Sequence, residues 1–378
     1  MTPRRRRILQ VVNNLNYGGM ERVVGEIARR IDPSRFESHV LALGYIGHFG
    51  EDLDGFATVH VANPMRRWSM LYPDVLAEQL SRIAPDVIHM HSGVWYKTSR
   101  AASLAGVPYQ IYTDHGRQNP DPWLNKAIDR RASMATDVIV CVSEPLGRHL
   151  AKIVTDPSRI RVIPNGVDTD RYVPKRDDGA FRAELGIAGD VPVVGSIGRL
   201  EAVKGYEVLV AAFARLRAGF SDTAGPVLVI VGDGSQRALL ERSAAALGIS
   251  DSVRFMGWRS DIESVSRAFT VFAMSSHSEG TSVSLLEAMS SGLCPVVTDV
   301  GGNAAVLGPD LRHRLVPPAD PQALASALSA ALLDCHAREC DSQIARDRIV
   351  EHFGLDSMVK RYEELYSAAP IRHGGHSV

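Results

Sequence analysis

"FTVFAMSSHSEGTSVSLLEAMSSGLCPVV" occupies residues 269–297. Its first eight residues are a short apolar run of the kind that makes a buried strand. Val283, Leu285, Leu286, Ala288 and Met289 then suit a helix buried on most sides, and Gly292 is placed to end it. "CPVV" resumes a strand, so the stretch reads as one strand–helix–strand unit of a parallel sheet. The helix is expected to begin near Thr281 or Ser282, both good N-caps, while Ser284 with Glu287 also has capping-box spacing. Glu279 and Gly280 then fall on the loop at the strand's carboxyl end. Free N–H groups of the helix's first turn would point into the same crevice and favour a phosphate there. Spacing alone leaves two readings open. Either Glu287 complements the helix dipole and Glu279 is solvated, or both belong to a ligand site.

The same alternation of apolar runs and helical patterns continues in both directions, the signature of parallel α/β sheets. Upstream strands are expected at 8–15, 39–44, 58–63, 86–92, 109–114, 137–143 and 160–166. "DTDRYVPKRDDG" (168–179) is charged and turn-rich and reads as a linker whose carboxylates are solvated. The pattern restarts with strands at 191–200, 227–234, 253–258, 269–276, 294–300 and 313–318, with helices from about Pro321. The expectation is α/β, with two doubly wound domains in tandem that face each other across a cleft, ligands binding beyond the carboxyl ends of the strands.

Three more βα turns carry polar residues. "GSIGRLEAVKG" (195–205) sets Arg199 and Lys204 between a strand and a helix. Such a pair, with loop N–H groups, suits a diphosphate, and two solvated loop cations is the plainer alternative. "NNLNYGGMERVV" (13–24) places Gly18 and Gly19 where backbone could approach a ligand or simply turn. "YTDHG" (112–116) puts His115 at a strand end, as a ligand contact or as an ordinary structural histidine.

Composition narrows the class. A 45% hydrophobic, 22% charged chain of 378 residues builds cores, and a net charge of −1 argues against a nucleic-acid binder. Residues 1–172 carry net +4 and the remainder −5, so the first half is mildly basic. Cys141, Cys294, Cys335 and Cys340 form no CxxC pair, which removes zinc-finger spacing and fits a reducing, cytoplasmic setting. No apolar run reaches membrane-span length. "VGDGSQRA" (231–238) has Arg237 where a dinucleotide fingerprint needs its third glycine, and neither a Walker A nor a GxSxG motif occurs.

Taken together, "GGMERVV", "CVSEPL" (141–146), "VIPNGVD" (162–168), "GRLEAVKGYEVLVAAF" (198–213), "LVIVGDGSQRALLE" (228–241), "VRFMGWRSDI" (253–262) and "EGTSVSLLEAMSSGLCPVV" (279–297) resemble the family 4 glycosyltransferases, retaining enzymes of the GT-B fold. The last contains that family's E-x7-E motif as Glu279 and Glu287. The resemblance implies an N-terminal acceptor-binding Rossmann-like domain over 1–170, completed by a C-terminal crossover helix over 355–378, and a donor-binding domain over 171–354. It implies that Arg199 and Lys204 hold the donor's diphosphate and that Glu287 bonds the nucleotide ribose. Glu279 would read the sugar's hydroxyls, with Gly280, Thr281 and Ser282 around sugar and phosphate. Gly18 and Gly19 would face the diphosphate, and His115 would lie near the reacting centre, with "GWRSD" (257–261) near the base. It also implies no cofactor or metal and a nucleotide-diphosphate sugar donor, UDP before GDP. The acceptor would be a glycan or a lipid-linked one, in polysaccharide or glycolipid assembly. The alternatives are a nucleotide-sugar 2-epimerase of the same fold and a non-catalytic nucleotide-sugar binding module. Arg4 to Arg7, Arg66-Arg67-Trp68 and Arg130-Arg131 could dock weakly on an anionic inner-membrane face, against the plainer alternative of scattered solvated arginines and a loose N-terminal arm.

Overall fold

The computed structural model describes residues 4–16, 18–47, 50, 52–64, 72–117, 121–175, 179–189, 191–220 and 225–370. The chain divides into two compact units. One comprises residues up to Asn165 together with those from Leu355 onward, the other Gly166–Gly354.

The first unit is a seven-stranded parallel sheet. Its strands are β1 (Arg6–Val12), β2 (Phe36–Ala42), β3 (Thr58–Val61), β4 (Val87–His91), β5 (Gln110–Asp114), β6 (Val138–Cys141) and β7 (Ile160–Val162), in spatial order 3-2-1-4-5-6-7. Every residue of β4, β5 and β6 is buried, as a parallel sheet covered on both faces requires. Helix α1 (Gly19–Arg30) buries Val23, Val24, Ile27 and Ala28, a one-sided stripe at helical spacing. The last helix of the chain, Leu355–Ser367, completes this unit. Tyr362 and Tyr366 on it are fully buried, Tyr366 Oη lies 2.8 Å from His89 Nδ1 on β4, and Glu363 accepts from Asp32 N at 2.7 Å.

The second unit repeats the plan with six parallel strands: β8 (Val193–Ile197), β9 (Val227–Val231), β10 (Val253–Phe255), β11 (Val271–Met274), β12 (Cys294–Thr298) and β13 (Leu315–Val316), in order 10-9-8-11-12-13. The quoted stretch is β11, a loop, a helix at Val283–Ser290 and β12, with β11 paired to β12 in parallel. Leu285, Leu286 and Met289 are wholly buried, each contributing about 1.5–3 kcal/mol of burial. Gly292 takes a φ of +76° and stops the helix. Beyond β13, Pro321 opens the helix Pro321–Leu333, and Asp320 caps it through Gln322 N (3.0 Å) and Ala323 N (2.9 Å).

Two expectations need correction. Residues 168–175 are packed rather than a free tether: Tyr172 is buried in the second unit's core, and its carbonyl accepts from Ser290 Oγ at 2.7 Å and Arg346 at 2.8 Å. Arg4 to Arg7 form neither a loose arm nor a free cationic cluster. Arg4 pairs with Asp86 at 3.2 Å, Arg7 with Glu37 at 3.2 Å, and Arg6 donates to the Ala369 carbonyl at 3.3 Å. Arg66-Arg67-Trp68 lie outside the described residues. Arg131 is exposed, and Arg130 reaches the Ile153 carbonyl at 3.4 Å. Cys141 and Cys294 are buried and all four cysteines are free thiols. Among the described residues no helix is long and apolar enough to cross a membrane.

Candidate active site

In the second sheet β8 and β11 are central neighbours, and the chain winds outward from them in opposite directions. The loops leaving their carboxyl ends therefore emerge side by side at the switch point, where open α/β sheets form binding crevices. The β8 loop carries Arg199 and Lys204, and the β11 loop carries Glu279. Although 75 residues apart, Lys204 Nζ donates to Glu279 Oε1 at 2.6 Å, and Ser276 Oγ donates to the same oxygen at 2.6 Å. Glu279's side chain is only 7% exposed and that of Lys204 23%, so the charges meet in a partly dry setting.

Backbone contacts stitch the two loops together. His277 N donates to the Val203 carbonyl at 2.8 Å, and Ser275 Oγ donates to the Lys204 carbonyl at 3.2 Å. Gly205 sits between them with φ +61°, where a Cβ would fall 2.2 Å from the Ser275 carbonyl oxygen. A third loop, after β12, closes on the same place. Gly302 N donates to the Gly280 carbonyl at 2.8 Å, and a Cβ on Gly301 (φ +54°) would lie 1.9 Å from the Glu279 carbonyl oxygen. Three loops thus meet at Glu279, two through its neighbours' backbone and side chains and one through Lys204 on the carboxylate itself.

The helix after this loop begins at Val283 with Ser282 at the N-cap position, yet no side chain caps it. Ser282 Oγ lies 3.2 Å from Ser284 Oγ instead of bonding a first-turn N–H, so the capping expected of Ser282 is not used. The helix Tyr206–Arg217 after the β8 loop also starts without a side-chain cap. Both N-termini keep donors and the positive end of a dipole for an anion. Thr281 and Ser282 are buried, and so is Glu287, at 2% exposure within its helix. Arg199 is exposed, and among the described residues its side chain has no hydrogen bond or ion pair, its carbonyl accepting from Glu201 N at 2.8 Å. The structure therefore brings Lys204, Glu279, Gly280, Thr281 and Ser282 together. It places Glu287 further down the same helix and leaves Arg199 extended from the neighbouring loop.

In the first unit Gly18 and Gly19 begin α1, again without a side-chain cap. Gly18 is extended at φ −177°, a conformation open to any residue, so backbone strain does not demand a glycine there. His115 follows β5. Its Nε2 lies 2.9 Å from His91 Nδ1, its backbone N–H donates to Ser92 Oγ at 2.9 Å, and its own Nδ1 is buried without a partner. Burial holds its imidazole down to about 3, so the ring is neutral near pH 7. Neighbouring Asp114 accepts from Gly116 N at 3.0 Å and Arg117 Nε at 2.6 Å, and Arg117 also meets Asp121 at 3.1 Å and Asp129 at 2.5 Å.

Two models of known families match the chain in tandem, Glycosyltransferase Family 4 over residues 17–171 and Glycosyl transferases group 1 over 177–348. The chain belongs to the family 4 glycosyltransferases. Among its relatives is the UDP-Gal:alpha-D-GlcNAc-diphosphoundecaprenol alpha-1,3-galactosyltransferase of Escherichia coli, 28% identical over 74% of this chain and 75% of that one. Another is the D-inositol 3-phosphate glycosyltransferase of Salinispora arenicola, 27% identical over 95% and 89%. Its fold is that of Anabaena HepE solved with UDP and glucose (TM-score 0.85, 22% identity, 96% of this chain and 100% of that one) and of the lipopolysaccharide glycosyltransferase WaaG (TM-score 0.77, 17% identity, 96% and 100%). The chain of this glycosyltransferase thus folds as GT-B, two Rossmann-like units with parallel sheets.

The sequence motifs alone do not point to Ser276, Gly205 and the Gly301-Gly302 turn, which hold the Glu279 loop, or to His91, which meets His115, and Gln10, which meets His91. "DVIHMHS" did contain a signal: two histidines at i and i+2 on a strand share one face, and a buried pair of histidines requires partners.

Proposed function

We propose that the chain transfers a sugar, with retention of anomeric configuration, from a nucleotide-diphosphate sugar to a glycan or lipid-linked acceptor in polysaccharide or glycolipid assembly. The observation that carries this reading is the Lys204–Glu279 pair at the switch point, beside two helix N-termini that lack side-chain caps. UDP is the favoured nucleotide and GDP the next. The HepE structures in complex with UDP and the UDP-Gal of the Escherichia coli relative's name support that order.

Cleaving a sugar–phosphate bond builds negative charge on the departing diphosphate. Lys204, Arg199 and the N–H groups of Gly280 to Val283 supply the opposing charge and dipoles, which makes a resident metal unnecessary. Glu279, held by Lys204 and Ser276, accepts hydrogen bonds from sugar hydroxyls, and Glu287 bonds the ribose. No side chain in the set is a poised nucleophile, so retention proceeds by attack on the face the diphosphate leaves, its oxygen taking the acceptor's proton. His115 and the Gly18-Gly19 turn are further ligand contacts.

The test is turnover with UDP-, GDP- and ADP-sugars, with and without lipid-linked or glycan acceptors, in EDTA, reading the product's anomeric configuration by NMR. Acceptor-dependent release of UDP with a retained anomer is expected. Acceptor-independent release of nucleotide with a 2-epimerised sugar would replace the reading with the epimerase, binding without turnover would leave a binding module, and loss of activity in EDTA would end metal independence.

A further inference from the structure

Gln10 on β1, His91 on β4 and His115 after β5 form a hydrogen-bonded file across three adjacent strands. Its direction is fixed at one end. Gln10 Nε2 lies 3.2 Å from the Val24 carbonyl oxygen, which can only accept, so the amide nitrogen faces Val24 and Oε1 faces His91. Gln10 Oε1 lies 3.3 Å from His91 Nε2, so that nitrogen carries the proton. Buried and neutral, His91 then has a bare Nδ1, which accepts from His115 Nε2–H at 2.9 Å. The remaining His115 nitrogen, Nδ1, is a lone pair, shut from solvent and without a partner. A buried acceptor left unmatched is costly and calls for a donor from outside the protein.

We propose that Gln10 and His91 are positioning residues that lock His115 in its Nε2–H tautomer, so that Nδ1 serves as a dedicated acceptor for a hydroxyl of the sugar ligand. The role assigned to the ligand rests on the reading of His115 as a ligand contact; the lock itself does not. A carboxylate or phosphate oxygen would set lone pair against lone pair, so the site selects a neutral O–H or N–H donor. His115 orients the ligand and does not stabilise the departing diphosphate, which would need a ring donor turned towards it.

The test uses the full-length protein with its histidines 15N-labelled, His115 being assigned by the resonances lost in His115→Asn. An unprotonated Nδ1 and a protonated Nε2 are expected at pH 7.5. Gln10→Met keeps the side chain's length but removes the carbonyl. It should mix the two tautomers of His115 and lower kcat/KM about tenfold, the worth of one hydrogen bond. His91→Asn retains an oxygen able to accept from His115 Nε2–H and should keep more turnover than His91→Leu, with thermal melting confirming that each variant folds. A protonated Nδ1 in the wild type, or an unchanged tautomer in Gln10→Met, overturns the lock. A tautomer shift with turnover unchanged overturns the contact between His115 and substrate while the lock stands.

Discussion

Lowering the pH from 7.5 to 5.5 should destabilise the first unit by at least about 3 kcal/mol. His89 and His91 are completely buried on β4, their rings 4.2 Å apart. Burial holds His89 down to about 3 and His91 well below its ordinary value, because a charge on either ring would lose its water. In the unfolded chain both titrate near 6.5. Above that value neither state binds the proton and the stability is fully present. Below it the unfolded chain takes up protons that the folded one refuses, and stability falls as pH drops towards the folded value. One unit below 6.5, each group removes about 1.4 kcal/mol, hence about 3 for the two. That is a large part of the ~5–15 kcal/mol of a typical domain. His115, and His60 half-buried beside His39, add in the same direction. Three of the four tryptophans (Trp68, Trp95, Trp123) belong to the first unit and Trp258 to the second, so a Trp258→Phe background lets fluorescence follow the first unit in urea. Trp95, buried and stacked on Tyr112 at 3.8 Å, is the responsive probe. A drop under about 1 kcal/mol, or an equal drop in a His89→Asn, His91→Asn double variant, would refute the reasoning.

Lys204→Ala should cut kcat by about 10²–10³ if Lys204 faces the departing charge, measured as release of UDP from a UDP-sugar in the presence of acceptor. Gly301→Ala meets the Glu279 carbonyl at 1.9 Å from a left-handed backbone, so it should weaken donor binding measured by calorimetry, at a strain of about 1–3 kcal/mol. Gly205→Ala, 2.2 Å from the Ser275 carbonyl, should behave alike, whereas Gly189→Ala, which meets nothing within 4 Å, should not. Tyr366→Phe removes the partner of His89 Nδ1 and should lower the first unit's stability by about 1–3 kcal/mol in the same urea assay.

What the chain reveals in one dimension follows from which interactions are local. β11, its helix and β12 are readable because burial on both faces forces apolar runs and a stop glycine, and each signal lies within a few residues of what it controls. The meeting of the β8 and β11 loops is readable at one remove, since a doubly wound order makes those strands neighbours whatever their sequence separation. Which side chains pair there is not. Family resemblance gave Lys204 to the diphosphate and Glu279 to the sugar, as if the two acted separately, whereas they share a hydrogen bond that Ser276 completes. On the proposed roles, a donor diphosphate that engages Lys204 would also free or repolarise the Glu279 carboxylate, coupling recognition of the two halves of the donor through one oxygen. The histidine file was hidden for a similar reason. The glutamine that orients it belongs to a strand recognisable only by its apolar neighbours, and nothing within a few residues of it marks it as the first link of a chain ending at His115.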